Sequence, residues 1–316
     1  MKEVQKEFVV IALGGNAILQ PGQRGTAEEQ FANVRATCRQ IVTLLEQGYR
    51  IVLTHGNGPQ VGNIIIQNQA TDAVPAMPMD ICGAESQGMI GYMLQQSLAD
   101  ELRRRGMDRP VASVITQTVV SADDPAFRKP TKPVGPFYDE VYARKKMAEG
   151  ETWMEDAGRG WRKVVPSPDP VEIVELEAIR RLARDHTIVI CNGGGGIPVV
   201  REKDGTLRGV EAVIDKDRGG QRLATGLGAD LFMILTDVPA VALDYGKPTQ
   251  RWVSRMTVAE ARGYQKEGHF KAGSMGPKVE ACCRFVEAGG RAAVIASLNE
   301  ALAALAGEAG TRIVRD

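Results

Sequence analysis

This 316-residue sequence lacks any imbalance of charge: lysine plus arginine and aspartate plus glutamate both number 39, so the formal net charge is zero. Aromatic residues make up only 5% of the chain. Proteins that bind nucleic acids usually carry a basic field and aromatic side chains that stack on bases. We therefore expect no nucleic-acid partner, and any anion-binding site must be built from a few local lysines and backbone amides.

Long apolar runs are also missing. No stretch of about 18 uninterrupted apolar residues occurs, which is what a membrane-spanning helix requires. The first residues, MKEVQKEF, contain no apolar core of signal-peptide length. These features predict a cytoplasmic protein with no membrane partner.

Patterns typical of metal sites, disulfides and common nucleotide folds are absent too. The chain has only three histidines, and its five cysteines show no Cys-x-x-Cys spacing, so we interpret the cysteines as buried thiols. There is no P-loop, no protein-kinase signature and no Gly-x-Gly-x-x-Gly that opens a βαβ unit. The cysteines are Cys38, Cys82, Cys191, Cys282 and Cys283.

The sequence does contain short apolar runs that alternate with helical segments. This pattern predicts an α/β fold in which helices cover both faces of an open, mostly parallel sheet. Residues 121–168 interrupt the pattern with prolines, clustered charges and aromatics, and we interpret them as a protruding lid subdomain within a single domain of residues 1–316. Strands are predicted at 7–13, 49–58, 110–120, 186–196, 230–238 and 291–297, and helices at 28–47 and 84–105.

Glycine clusters follow three of these strands: Gly14-Gly15-Asn16, Gly56-Asn57-Gly58 and the run 193–196. Ligands of open parallel sheets bind at the carboxyl ends of the strands, where bare amides and helix N-termini hold anions. Any one cluster alone is better explained by a tight turn between a strand and a helix. Three clusters at one edge favour a phosphate site against the 193–196 run or a neighbouring loop.

Three lysines stand in stiff surroundings: Lys132 in PTKPVGPFY, Lys216 in IDKD and Lys278 in GSMGPKVE. Proline and glycine settings lower the entropic cost of holding a charge in place. Asp215 and Asp217 flank Lys216, and they either orient it, assist a magnesium ion indirectly or form a surface ion pair.

The histidines give weaker signals. His55 either contacts a substrate or packs beneath the second glycine loop, and we interpret His186 and His269 as structural or exposed.

Taken together, the sequence blocks closely resemble those of the carbamate kinases, which have the amino acid kinase fold. The blocks cover nearly the whole chain in the expected order. They are ALGGNAIL (12–19), THGNGPQVG (54–62), MDICGAESQGMIGYMLQQ (79–96), PTKPVGPFY (130–138), DAGRGWRKVVPSPDP (156–170), GGGGIPV (193–199), GVEAVIDKD (209–217), LTDVPAV (235–241) and EGHFKAGSMGPK (267–278).

The resemblance implies a homodimeric enzyme that reversibly transfers a phosphoryl group between ATP and carbamate, giving ADP and carbamoyl phosphate. The implied cofactor is Mg²⁺ carried by ATP or ADP, with no direct protein ligand to the metal. ATP formation during the breakdown of arginine or other carbamoyl compounds is the expected direction.

The resemblance also assigns roles to residues, with the N-terminal part on the acceptor side and residues 200–316 mainly on the nucleotide side. Lys132, Lys216 and Lys278 are expected to stabilise the transferring phosphoryl group, and Asp215 to organise the lysines. The implied acceptor and phosphoryl site comprises Gly14, Gly15, Asn16, Gly56, Asn57, Gly58, Gly194 and Gly195. The implied nucleotide site comprises Asp237, Val238, Tyr245, Met275 and Gly276.

One segment departs from the family pattern. After IDKD, where family members have a small apolar helix, this chain has Arg218-Gly219-Gly220-Gln221. Two glycines in a first helical turn predict a loss of about 1–2 kcal/mol of helix stability and a less rigid Lys216. Two other functions stay open from the sequence: a kinase of the same fold acting on a larger carboxylate, and a catalytically weakened nucleotide-binding paralogue.

Overall fold

A computed structural model describes residues 6–156, 158–271 and 273–316. Residues 1–5, which begin the stretch assessed above for a signal peptide, lie outside the described residues. So do Ala157 and Ala272, one in each of two blocks that carry the family resemblance.

Helices alternate with strands along most of the chain. The helices are α1 (Ala27–Glu46), α2 (Gly58–Gln69), α3 (Met79–Arg104), α4 (Glu140–Ala148), α5 (Leu176–Arg184), α6 (Lys216–Leu227), α7 (Val258–Lys266), α8 (Met275–Glu287) and α9 (Ala301–Ala306). The strands are β1 (Phe8–Leu13), β2 (Arg50–His55), β3 (Val111–Val114), β4 (Gln117–Val120), β5 (Lys132–Tyr138), β6 (Trp153–Glu155), β7 (Trp161–Val165), β8 (Pro170–Ile173), β9 (Ile188–Cys191), β10 (Ile197–Arg201), β11 (Leu207–Gly209), β12 (Leu231–Thr236), β13 (Val241–Leu243), β14 (Arg251–Val253), β15 (Arg255–Thr257), β16 (Ala292–Ser297) and β17 (Thr311–Val314).

The main sheet has the strand order β15-β17-β16-β12-β1-β2-β9-β3, and all neighbours run parallel except the pair β16 and β17. Its central strands are buried on both faces, as expected for a parallel sheet between helices. Val9 and Ile11 of β1 belong to the core beneath α1, α3 and α9, whereas Val10 and Ala12 belong to the core beneath α5 to α8. The predicted α/β fold is confirmed.

One predicted strand is wrong. Residues 110–120 form two strands in different sheets: β3 at the edge of the main sheet and β4 in a second sheet of order β11-β10-β4-β8. The break falls at Ile115 and Thr116, where the Thr116 amide donates to the side chain of Gln87 instead of to a neighbouring strand. Periodicity could not reveal the break, because both halves are apolar and β-branched.

Residues 132–165, inside the segment that interrupts the sequence pattern, form a third sheet of order β5-β7-β6 with antiparallel pairing. Helix α4 connects β5 to β6, and the rings of Tyr138 and Tyr142 stack at a centroid distance of 4.5 Å beside Trp153. Strand β5 contacts α2 of the main body. Lys132, at the start of β5, therefore reaches the main body from this separate sheet.

The cysteines match the interpretation drawn from the sequence, since all five are free thiols in buried positions. Burial raises the pKa of each thiol, including those of Cys38 and Cys191. None of the helices in the described ranges is both long and apolar enough to span a bilayer.

Candidate active site

A cavity of about 850 Å³ opens at the carboxyl edge of the main sheet, within the range of about 300–1,000 Å³ common for small-molecule sites. The ends of β1, β2, β12 and β16 all contribute to its lining, as does the glycine run after β9. The structure thus brings the three glycine clusters to one edge, as predicted. Site residues predicted from the sequence that line the cavity are Gly14, Gly15, Asn16, Gly56, Asn57, Gly58, Lys132, Gly194, Asp215, Lys216, Asp237, Val238, Tyr245 and Met275, together with Lys278.

Two of the three lysines share one carboxylate. The Lys216 ammonium lies 2.7 Å from Oδ1 of Asp217, and the Lys278 ammonium lies 3.0 Å from Oδ2 of the same residue. Lys216 is the first residue of α6 and Lys278 lies in the first turn of α8, so two neighbouring helices present their ammonium groups together. The Asp217 side chain is only 4% exposed, which makes it the buried centre of the arrangement.

The charges in this triad perturb one another. Burial alone would raise the pKa of Asp217, but the two ammonium groups lower it to about 2, so the carboxylate stays ionised. Burial lowers the pKa of Lys216 below the usual lysine range. Burial acts in the same direction on Lys278, but the charge and hydrogen bond of Asp217, together with the hydrogen bond to Lys216 and the charge of Asp215, outweigh it and raise the pKa of that lysine.

Asp215 holds the third lysine. Its Oδ2 lies 3.1 Å from the Lys132 ammonium, while its Oδ1 caps α6 by accepting from the amides of Asp217 and Arg218. Asp215 therefore contacts one lysine, and Asp217, which the sequence suggested only as a neighbour of Lys216 and not as a site residue, links the other two. The IDKD motif was the signal for Asp217, since both aspartates flank Lys216.

The four-glycine run is packed mainly against the protein's own side chains. A β-carbon on Gly193 would overlap the ring of His55, one on Gly194 the carboxamide of Asn57, and one on Gly196 the hydroxyl of Thr118. Of the four, only Gly194 lines the cavity. Gly194 is therefore the residue of the run whose position is compatible with the phosphate site predicted against the run or a neighbouring loop.

Two residues assigned to the site do not line the cavity. Gly195 is buried, and a β-carbon there would lie 2.9 Å from the carbonyl oxygen of Ile214, the first residue of the IDKD motif. Gly276 is buried in the first turn of α8, where its amide donates to the carbonyl of Lys271 at 3.0 Å. Both glycines allow close approach of backbone segments that carry lysines, so we assign them a packing function.

Close packing also explains the two glycines in the segment that departs from the family pattern, Arg218-Gly219-Gly220-Gln221. A β-carbon on Gly219 would lie 2.6 Å from the Cα atom of Gly195, and one on Gly220 would lie 3.2 Å from the ring of Phe232. Helix α6 forms through both glycines, with Asp215 as its cap. The two glycines let α6 pack closely on the glycine run while Asp217 holds the ammonium of Lys216.

Replacing Gly196 with alanine is expected to lower the free energy of unfolding by more than about 3 kcal/mol, because the new methyl group would overlap Thr118 in a fully packed site. Gly205 provides a matched control: it also has a positive φ, +88° against +93°, but its side-chain position is open. Its alanine variant should lose only about 1 kcal/mol, from backbone conformation alone. Denaturant titration measures both values, and equal losses would contradict the packing argument.

Among the residues that the structure describes, no histidine lines the end of the cavity beside Gly14, Gly56 and Lys216. His55 is buried with its Nδ1 atom 3.0 Å from the carbonyl of Gly56, and burial lowers its pKa to about 4. It lies beneath the loop and outside the cavity lining, which decides between the two interpretations of this residue. A β-carbon on Gly56 would lie 3.0 Å from the Cδ atom of Lys216, so glycine at this position leaves room for the lysine side chain.

The opposite end of the cavity contains residues that sequence reasoning missed. Trp252 lies edge-to-face with Tyr245 at a ring-centroid distance of 6.5 Å, and the Lys271 ammonium lies 5.9 Å from the Tyr245 ring. His269 also lines this end, so its interpretation as structural or exposed is incomplete. Lys271 and His269 lie in the block EGHFKAGSMGPK, which was the available signal, whereas nothing in the sequence marked Trp252.

No group of three or more histidine, cysteine or acidic side chains within residues 6–156, 158–271 and 273–316 is arranged to hold a metal ion. The two aspartates closest to the lysines are already paired with ammonium groups. A divalent cation would therefore have to bring most of its ligands with it.

Comparisons with known proteins identify the family of this chain. The model of the amino acid kinase family matches residues 7–297. Carbamate kinases of Thermococcus kodakarensis and Pyrococcus furiosus are 58% and 56% identical to this chain, with alignments that cover 98% and 97% of it and 99% and 98% of the relatives. The solved structure of the carbamate kinase from Giardia lamblia bound to AMP-PNP has a TM-score of 0.93 and 47% identity, and the match covers 98% of this chain and 99% of that one. This chain therefore belongs to the amino acid kinase family and, within it, groups with the carbamate kinases.

Proposed function

We propose that this protein is a carbamate kinase, which reversibly transfers a phosphoryl group between ATP and carbamate. The observation that carries the proposal is the pair of ammonium groups of Lys216 and Lys278 held by one buried carboxylate at the cavity edge. The high identity to carbamate kinases along nearly the whole chain selects this reaction among those of the family.

The side chains suit an acceptor that needs no deprotonation. Carbamate is already an oxyanion, so attack on the γ-phosphorus depends on reducing anion repulsion and on holding donor and acceptor oxygens in line. Asp215 and Asp217 are engaged by lysines, and His55 lies outside the cavity lining. A kinase for hydroxyl groups would instead require a carboxylate or imidazole beside the nucleophile.

The lysines provide the stabilisation that the reaction requires. At an effective dielectric constant near 20, an ammonium group about 4 Å from an anionic oxygen contributes roughly 4 kcal/mol before desolvation is counted. We propose that Lys216 and Lys278 contact the migrating phosphoryl group from the main body and that Lys132 reaches it from β5. Asp217 keeps the first two in place and Asp215 the third.

The remaining assignments follow from position in the cavity. We propose that Gly14, Gly15, Asn16, Gly56, Asn57, Gly58 and Gly194 bind the acceptor and phosphoryl end. We assign Asp237, Val238, Tyr245 and Met275 to the nucleotide, together with Trp252, His269 and Lys271. Residues 200–316 then supply mainly the nucleotide side, and residues 121–168 act as a lid subdomain that carries Lys132.

Mg²⁺ fits this site as a companion of the nucleotide. The carboxylates nearest the lysines are neutralised by them, so the phosphate oxygens would be its main ligands. When bound with ATP or ADP, Mg²⁺ neutralises part of the phosphate charge.

The deciding experiment is ATP formation from ADP and carbamoyl phosphate in the presence of Mg²⁺. We expect efficient turnover, with carbamate preferred over N-acetylglutamate in the reverse direction. Preference for the larger carboxylate would favour another kinase of this fold, and nucleotide binding without turnover would indicate a weakened paralogue.

We further propose a homodimer in the cytoplasm that mainly forms ATP during the breakdown of arginine or other carbamoyl compounds. This proposal extends the carbamate kinase assignment, which is the part that the close relatives support. Light scattering of the purified protein tests the dimer.

A further inference from the structure

We propose that the carboxamide of Asn57 recognises the amino group of carbamate, and that Ser86 and Gly194 fix its orientation for that purpose. Asn57 would then determine which acid-type acceptor the enzyme uses. The inference rests on the proposed function, because it assigns a group of the acceptor substrate to one atom of the site.

Ser86 determines which end of the Asn57 carboxamide is the nitrogen. The Ser86 hydroxyl is fully buried in α3 and donates its only proton to the carbonyl oxygen of Gly83, at 2.6 Å. It can therefore only accept from Asn57, whose nearest amide atom lies 2.8 Å away and must be Nδ2. The alternative orientation would place two acceptors against each other.

Gly194 fixes the plane of the same carboxamide. A β-carbon on Gly194 would overlap Nδ2, Cγ and Oδ1 of Asn57 alike, so the amide lies flat across the bare Cα atom. Gly194 also has a φ of +66°, which side chains rarely adopt. The carboxamide is thus held at its nitrogen by Ser86 and across its face by Gly194.

The oxygen of Asn57 is the atom left for a ligand. Asn57 lines the cavity at the start of α2, and its Oδ1 accepts no hydrogen bond from the residues that the structure describes. Carbamate carries an NH₂ group beside its carboxylate, whereas acetate carries a methyl group there. An oriented acceptor favours the first, because a methyl group would leave that oxygen without its partner.

The test compares carbamoyl phosphate with acetyl phosphate as phosphoryl donors to ADP, since the two differ by NH₂ against CH₃. In Ser86→Ala and in Asn57→Ala, we expect kcat/KM for carbamoyl phosphate to fall about tenfold, with kcat/KM for acetyl phosphate changed less than twofold. KM for ADP should stay unchanged. If acetyl phosphate turns over too slowly, its inhibition constant against carbamoyl phosphate takes its place.

Ser97→Ala is the matched control. Ser97 lies on the same helix, is also buried, and its hydroxyl has no hydrogen-bond partner in the described part of the chain, so its loss should leave both donors unaffected. The inference would be overturned if kcat/KM fell equally for the two donors in Ser86→Ala and Asn57→Ala. It would also be overturned if the ratio of the two kcat/KM values in both variants were the same as in Ser97→Ala. Failure of the wild-type enzyme to form ATP from carbamoyl phosphate would overturn the proposed function as well, whereas active wild type with an unchanged donor ratio would overturn this inference alone.

Discussion

Lys278→Ala is expected to lower kcat by at least about 100-fold, and Lys216→Ala is expected to be equally severe. Each variant removes one of two ammonium groups that lie within 3.0 Å of the same buried carboxylate at the cavity edge. The remaining lysine would then be drawn to Asp217 without competition, so less of its charge would act on the phosphoryl group. Steady-state kinetics of ATP formation measures the effect.

Both variants should stay folded, because each lysine reaches the cavity from the first turn of a helix whose apolar residues pack elsewhere. Far-UV circular dichroism and thermal unfolding provide that check. Lys266→Ala removes an exposed lysine at the end of α7 and should leave kcat unchanged. Near-normal turnover in either active-site variant would contradict the role assigned to these ammonium groups.

The position of the site could be predicted from the sequence because it depends on a general property of parallel sheets. Once residues 7–13, 49–58 and 186–196 were recognised as strands, their carboxyl ends had to lie at the same edge. The lysines were also recognisable, since Lys216 follows a strand-like run and Lys278 follows a Gly-Pro pair at a helix start. Local sequence thus specified where the candidate site lies.

The sharing of Asp217 could not be predicted in the same way. Asp215 and Asp217 both neighbour Lys216, and only the start of α6 at Lys216 makes the first a cap and turns the second towards α8. Lys278 arrives there from 61 residues further along the chain. The pairing is therefore a consequence of how α6 packs on α8, which no local pattern encodes.

The glycine run illustrates a second limit. Its sequence indicates that something approaches the backbone closely, but a bare Cα atom does not reveal whether the neighbour is a ligand or the protein. His55, Asn57, Ile214 and Thr118 supply the neighbours in this structure. The run packs between the loop after β2 and the segment that leads into Lys216, and this role depends on tertiary packing.

Asp217→Asn is expected to have the largest combined effect on activity and stability. The change leaves two buried ammonium groups facing each other without a carboxylate, and removing one partner of a buried ion pair typically costs about 3–5 kcal/mol. We also expect kcat to fall by at least about 100-fold, because repulsion would move both lysines out of position. Denaturant titration at pH 7 and kinetics of ATP formation measure the two effects. Asp100→Asn, on the exposed surface of α3, should change neither.

The pH dependence of the unfolding free energy tests whether Asp217 stabilises the protein through its charge or through its shape. Its pKa is about 2 in the folded protein, against 3.8 as the ordinary value. The folded state therefore binds the proton less readily, and the resulting stabilisation is present above pH 4 and disappears as the pH falls towards 2. Asparagine cannot ionise, so the difference in unfolding free energy between wild type and Asp217→Asn should shrink over that interval. A difference that stays constant from pH 7 down to pH 2 would show that the carboxylate is not held ionised by Lys216 and Lys278.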